Sequence, residues 1–380
     1  MNVPLVSVVI PTYNYGHFVA EAIQSVLEQT FRDFEIIVVD DGSTDNTREV
    51  IEQFGDSVRY IYQDNQRTAA ARNTGIKAAR GQYIAFLDAD DLWLPQKLQL
   101  QIVLFEERPH VGLVYSTIYL FESKSGAIVG EYPVSGCHEG KVLKDLYMHP
   151  FIPSPTPLIP KDVFNVVGYF DKRFDPKEDS EMWLRIAARY EFAFVPKPLA
   201  KYRLHESIQS KKGYEKGKRI DLAILEKVAH DHPNQLWPLR LFRLATYEEE
   251  FGWGLIRRGE RSAGISRLKR AIRYKPWRLR PYLLLAYSVL GPNMTPERTQ
   301  KATLNYYWAK HSLFNYQYRQ ARVEFFKTII LDPLTYPKAY IGLLLTFAGK
   351  RWVDKVRSKI CADRYLITMR PDQDAVFGQL

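Results

Sequence analysis

The feature that most constrains this chain is a set of short runs, "LVSVVIPT" (5–12), "FEIIVVDDGS" (34–43), "VRYIY" (58–62) and "YIAFLD" (83–88), whose cores are apolar at nearly every position. A strand with one wet face alternates polar and apolar residues, whereas a continuous apolar run marks a strand covered on both faces. Between the runs lie helical patterns: "FVAEAIQSVLEQT" (18–30), a stretch from about Thr44 to Phe54, and "TAAARNTGIKAAR" (68–80). This order predicts an α/β fold, a mostly parallel sheet with helices on both faces. Ligands bind such sheets beyond the carboxyl ends of the strands, so the polar residues after each run become the candidate site.

At 380 residues the chain exceeds what one core usually serves, and two domains are expected. Residues 122–160 are rich in Gly, Pro and Ser, which suits loops and edge strands over the sheet and a place for an acceptor. The polar, basic segment "SIQSKKGYEKGKR" (207–219) precedes a stretch dominated by helical periodicity, which puts a boundary near residue 212 and divides the chain into 1–212 and 213–380. In the second part, "AGISRLKRAIRYKP" aligns with "RQARVEFFKTIILDP" at an offset of 57, matching Gly264, Leu268, Ala271 and Pro276 with Ala321, Phe325, Thr328 and Pro333. The pattern resembles the second helix and closing proline of a tetratricopeptide repeat, whose period is about 34. Two degenerate units support antiparallel helical hairpins rather than a full repeat array.

Charge divides unevenly. Residues 1–210 hold 21 Lys+Arg against 28 Asp+Glu, a net −7, and residues 211–380 hold 32 against 15, a net +17. A basic module facing phosphate, anionic lipid or an acidic partner and a merely solvated helical surface are equally compatible with this. Cys137 and Cys361 are far apart and offer no disulfide framework or metal spacing, which fits a reducing compartment. No basic leader with a cleavage site precedes "PLVSVVIP", and "AYIGLLLTFAG" is about half the roughly 20 residues needed to cross a bilayer. A cytoplasmic protein without membrane spans is therefore expected.

Neither G-x-G-x-x-G after the first strand nor G-x-x-x-x-G-K-[ST] occurs, so a nicotinamide site and a P-loop are both unsupported. The strand ends instead carry "PTYNYGHF", "DDGSTDN" and "DADD". A strand-end aspartate can accept from a base or ribose, while a turn followed by a helix cap explains Asp40 and Asp41 equally well. For Asp88, Asp90 and Asp91 the alternatives are a helix cap and a metal site. A calcium loop is excluded, because its sixth position is Trp93 instead of Gly and its twelfth Gln99 instead of Glu. What remains for Asp88 and Asp90 is a hard ion left partly open to phosphate, Mg²⁺ or Mn²⁺. The acidic pair in "KEDSEMWLRI" has a plainer explanation in the helix dipole. Trp183 in the same helix reads as core.

Taken in order, "VSVVIPTYN", "IIVVDDGSTDNT", "AAARNTGI", "YIAFLDADD", "KEDSEMWLRI" and "YRLHES" resemble the inverting glycosyltransferases of family 2 over residues 5–210. The resemblance implies a GT-A fold and a set of roles. Pro11, Thr12 and Tyr13 would line the nucleotide base and Asp40 would hydrogen-bond it. Asp88 would lie near the ribose, Asp90 would be the principal metal ligand and Arg72 would approach the nucleotide or diphosphate. Asp179 would be the general base with Glu178 close to the acceptor, and His205 would offer imidazole to the metal. Asp91 is expected to cap the following helix. The Q-x-x-R-W element associated with processive synthesis is missing, which implies one sugar per encounter.

The expected activity is metal-dependent, inverting transfer of one sugar from a nucleotide-diphosphate donor, UDP by family frequency, to a hydroxyl acceptor such as a growing polysaccharide or lipid-linked glycan. The basic part would dock on the anionic inner face of the membrane. No nucleic-acid motif is visible, and none is expected as a partner. A rival reading makes the protein an inactive transferase-like scaffold; the intact set Asp40, Asp88, Asp90 and Asp179 argues against it.

Overall fold

The computed structural model describes residues 3–132, 138–204, 214–290 and 318–331 and the single positions 305, 343 and 347. The chain forms two compact units, residues 1–236 and 237–380. The boundary expected near residue 212 lies outside the described residues.

The first unit is built on one sheet. The strands β1 (Val6–Thr12), β2 (Phe34–Asp40), β3 (Arg59–Tyr62) and β4 (Tyr83–Phe86) are joined by the helices α1 (Gly16–Leu27), α2 (Thr47–Glu52) and α3 (Thr68–Ala78). They pair in parallel in the order β3-β2-β1-β4. Every residue of β1 is buried, as an apolar run with no wet face requires.

The other half is mixed. It contains β5 (Leu92–Trp93), β6 (Val111–Glu122), β7 (Ile128–Tyr132), β8 (Leu158–Pro160) and β9 (Glu191–Leu204). The helices here are α4 (Lys97–Glu107), α5 (Leu143–Met148), α6 (Val163–Val167) and α7 (Glu178–Ala187), and α8 (Tyr214–Asp231) follows β9. β8 runs antiparallel to both β4 and β6, β6 and β9 run parallel, and β5 and β7 pair antiparallel with β9 and β6. Within residues 122–160, β7 lies off the main path while β8 occupies the middle of the sheet. Composition hid β8, because only Leu158 and Ile159 are apolar and buried before Pro160, which lacks a donor, ends the ladder.

The second unit begins within α9 (Pro233–Arg257) and continues through α10 (Arg261–Tyr274), α11 (Leu279–Leu290) and a helix over Tyr318–Leu331. Trp253, Ile256, Leu268 and Leu284 form a core among α9, α10 and α11. α9 and α10 meet backbone to backbone: a Cβ on Gly264 would lie 2.5 Å from the Gly252 carbonyl oxygen. The positions aligned at the offset of 57 are buried in both helices: Gly264, Leu268 and Ala271 in α10, and Ala321, Phe325 and Thr328 in the later helix. Pro333 lies outside the described residues.

Candidate active site

The strand ends that carry the expected residues lie side by side. Thr12 and Asp40 are in register at the ends of β1 and β2. Pro11 and Thr12 are buried and Tyr13 is exposed. The loops beyond are stitched together, with Asn14 Oδ1 accepting from the Thr44 N–H at 2.7 Å and the Asn14 N–H donating to Ser43 Oγ at 2.9 Å.

Asp40 accepts from the Ser43 N–H and from the Tyr60 hydroxyl, both at 2.8 Å. Burial first, and then the bond to Asp40, raises the Tyr60 phenol well above its ordinary value. The turn reading is therefore correct for the backbone, with Gly42 at φ 83°, and Asp40 sits at the carboxyl end of β2 beside Thr12 of β1. Asp41 turns the other way. It accepts from Gln63 Nε2 at 2.6 Å and from the N–H groups of Gln66 at 2.9 Å and Arg67 at 2.7 Å, which sets the entry to α3.

Arg72, on α3, is buried at the centre of the site. Its guanidinium donates to Glu178 Oε1 at 2.7 Å, to Asp88 Oδ1 at 2.7 Å and to Ser154 Oγ at 3.1 Å. The Phe86 and Phe170 rings lie 5.9 and 5.5 Å from its Cζ. Burial alone would lower the guanidinium pKa, but Asp88, Glu178 and Asp179 outweigh it and raise it. One cation thus joins the end of β4 to the start of α7.

α3 is itself held by the segment that precedes α7. Its first turn takes a carboxylate from a distant segment, since the Ala69 N–H donates to Asp175 Oδ2 at 3.1 Å. Asn73 exchanges two hydrogen bonds with the main chain of Phe170, at 2.8 and 2.9 Å.

At the start of α7, Glu178 is buried and Asp179 half-buried. Burial pushes the Glu178 carboxyl up to about 7; Arg72 opposes this, and Asp179 and Asp175 reinforce it. Asp179 Oδ1 accepts from the N–H of Ser180 at 2.6 Å. Trp183 is buried with its ring edge toward Phe170 at 6.0 Å, as expected of a core residue.

The acidic loop after β4 separates into three environments. Asp88 receives Arg72 on one oxygen and the Ser154 hydroxyl, at 3.0 Å, on the other. Asp90 is half-buried at the sheet edge. Asp91 is buried, and its Oδ1 accepts from the Arg203 N–H on β9 at 2.9 Å. The expected helix cap at Asp91 is therefore incorrect: α4 starts only at Lys97, and β9 reaches the carboxylate first. Burial first, and then Asp90 and Asp88, raises the Asp91 carboxyl well above the usual carboxylate range.

Among the described residues no group of three His, Cys, Asp or Glu side chains is placed to hold a metal ion, and His205 lies outside the described residues. The donor set of the loop nevertheless suits a cation, because Asp88, Asp90 and Asp91 bring three carboxylates within four positions and Asp91 Oδ2 finds no hydrogen-bond partner within the described protein. Burial first, and then the neighbouring carboxylates, raises both the Asp91 carboxyl and the Tyr202 phenol. One or two carboxylates, completed by phosphate and water, suit Mg²⁺ or Mn²⁺.

Several buried polar atoms here find no hydrogen-bond partner within the described protein: Thr12 Oγ1, Arg72 Nε, Asp91 Oδ2 and Glu178 Oε2. Sequence reasoning missed Tyr60, Ser154, Asp175 and Arg203. Arg203 stood within the quoted "YRLHES" and Tyr60 within "VRYIY", but their partners are 20 to 182 residues away, so no local pattern reveals them.

The glycosyl transferase family 2 model matches residues 7–145. An uncharacterized glycosyltransferase of Rickettsia typhi is 34% identical over 207 residues, covering 54% of this chain and 65% of that protein, so the chain spans just under two thirds of that relative. The UDP-Glc:α-D-GlcNAc-diphosphoundecaprenol β-1,3-glucosyltransferase WfgD of Escherichia coli is 33% identical over 220 residues, 57% of this chain and 83% of that one. The crystal structure of S. aureus TarS shares the fold with a TM-score of 0.52 at 20% identity, covering 75% of this chain and 53% of that chain.

Proposed function

Because the chain belongs to glycosyltransferase family 2, we infer that it moves one sugar from a nucleotide-diphosphate donor to a hydroxyl acceptor, with inversion at the anomeric carbon. The observation that carries this reading is the buried Arg72, which binds Asp88 at the donor-side strand end and Glu178 beside the expected base, each at 2.7 Å. A charged bridge of that kind brings the two halves of a displacement within one site.

The base is taken by Pro11, Thr12 and Tyr13, with Asp40 accepting an N–H from its edge. UDP is the expected nucleotide; GDP and dTDP present the same kind of ring N–H. Asp179 Oδ1 is held by the N–H of Ser180, which leaves Oδ2 to remove the acceptor proton. The acceptor oxygen then bonds to the anomeric carbon as the bond to the diphosphate oxygen breaks and the diphosphate leaves with the electron pair. A divalent ion, when bound, would neutralise charge on the departing diphosphate, a contribution of several kcal/mol. Asp90 would hold it, with His205 as a further ligand. Glu178, fixed by Arg72, orients the acceptor beside Asp179.

A lipid-linked acceptor accords with the E. coli relative WfgD, a glucosyltransferase of α-D-GlcNAc-diphosphoundecaprenol; a growing polysaccharide is the other acceptor we expect. Arg72 would meet the nucleotide or diphosphate from α3.

The test is a panel of nucleotide sugars with Mn²⁺ or Mg²⁺, following nucleotide release with and without acceptor. Wild type is expected to turn over with metal, and Asp179→Asn to bind donor normally while losing about 10²–10⁴ in rate. Equal turnover by Asp179→Asn would remove it from the role of base.

A further inference from the structure

We propose that Arg203, on β9, is a positioning residue that sets the main-chain course of the loop carrying Asp90, and so the geometry in which Asp90 receives a divalent ion. This inference rests on the metal-dependent reading above and names a residue that reading does not use.

Arg203 is buried, and three different parts of it are engaged. Its N–H donates to Asp91 Oδ1 at 2.9 Å, its Nε–H to the Asp90 carbonyl at 2.7 Å, and its terminal NH₂ to Glu21 Oε2 on α1 at 2.8 Å. Its Cζ lies 4.5 Å from the Phe18 ring centroid and 4.6 Å from that of Phe121. Two aromatic faces, the Asp90 carbonyl and the Glu21 carboxylate together orient the fork.

The choice of acceptors shows what the guanidinium does. An arginine serving only to neutralise Asp88, Asp90 and Asp91 would place its fork on one of those three carboxylates, the strongest arrangement open to it there. Here the fork goes to a peptide carbonyl and to Glu21, and the carboxylate of Asp91 is met by a main-chain N–H instead. The Asp90 peptide is thereby pinned from its carbonyl, and the neighbouring Asp91 side chain from β9. Groups that orient a metal ligand without touching the metal typically change its affinity 10- to 100-fold when removed.

The test uses the full chain and direct Mn²⁺ binding, read as the loss of the free-ion electron paramagnetic resonance signal, in the absence of donor and with UDP. Arg203→Met keeps an apolar side chain beside the two rings and keeps the main-chain bond to Asp91, so it removes the side-chain donors together with their charge; loss of a cation beside the loop would by itself favour Mn²⁺, so a weaker Kd reports the lost donors. It is expected to raise the Mn²⁺ Kd about tenfold or more, while thermal denaturation shows it folded at the temperature of the titration. A merely structural arginine would lower the melting temperature and leave the Kd of the folded protein in place. Should Arg203→Met not fold, Arg203→Lys decides: it keeps charge and stem but cannot reach both Glu21 and the Asp90 carbonyl, and at least a fivefold weaker Kd is expected. A Kd within twofold of wild type in the folded variant overturns the proposal. If wild type itself binds neither Mn²⁺ nor Mg²⁺, with or without UDP, the metal reading fails and the proposal with it, an outcome distinct from wild-type binding that Arg203 does not affect.

Discussion

Glu178 shows how far one environment can set one group. Its carboxyl is pushed up to about 7, from an ordinary 4.5, by burial and by Asp179 and Asp175 against the pull of Arg72. The folded protein therefore holds a proton that the unfolded chain releases between those two values. The stability this carboxyl contributes is full below about pH 4.5 and lost as pH rises through about 7. Glu178→Gln is expected to flatten that stretch of the stability profile, measured by urea denaturation at intervals from pH 4.5 to 8; a profile parallel to wild type would contradict the assignment. The strand ends marked Asp40 and Asp88 as candidates, and the resemblance to family 2 added Glu178 and Asp179, whose place at the start of a helix has a plainer explanation in the helix dipole. Neither signal revealed that Asp88 would be occupied by Arg72 and Ser154, since that depends on residues 16 and 66 positions away.

At the scale of elements, α3 is the part on which the site depends. Its outer end is capped by Asp175 and its inner side rests on β1 with no room to spare: a Cβ on Gly75 would lie 2.2 Å from Val9 Cγ1. Gly75→Ala should cost about 1–3 kcal/mol of stability, as overpacking does. Val9→Ala should recover part of that in the double variant, and chemical denaturation of the four proteins gives the coupling. Asp175→Ala should lose about 1 kcal/mol by leaving the first turn of α3 uncapped. The parallel strands and their helices were legible because their apolar runs have the length and punctuation of buried strands. β8 was not, for two buried residues and a proline in a Gly-, Pro- and Ser-rich stretch carry no periodicity; the strand exists because β4 and β6 offer it a slot.

For the whole molecule, charge is the property that no single element carries. Within residues 237–380 some of the excess is neutralised internally: Glu248 meets Arg267 and Arg270 at 3.2 and 3.0 Å, and Glu249 meets Arg278 and Arg280 at 3.3 and 2.6 Å. On its surface Trp277 and Leu279 are 75% and 70% exposed. Lys275 Nζ lies 5.0 Å from the Trp277 ring and 5.3 Å from that of Phe242. Exposed aromatic and aliphatic groups beside cations are the composition of surfaces that settle at a lipid headgroup layer. Sedimentation with vesicles containing anionic lipid should show binding that falls as salt is raised, because each suitably placed Lys or Arg contributes about 1 kcal/mol. Binding equal on neutral vesicles, or none at low salt, would refute the electrostatic account.

The orphaned atoms at the ligand edge, Thr12 Oγ1, Arg72 Nε, Asp91 Oδ2 and Glu178 Oε2, bear on how the protein can be engineered. They mark local frustration: the fold tolerates unsatisfied polar groups at the place where a donor would satisfy them. Substitutions that remove such an atom without removing volume, Thr12→Val among them, relieve that frustration and should raise the melting temperature. A screen for heat resistance would collect these variants first and, on the function proposed above, would select against donor binding.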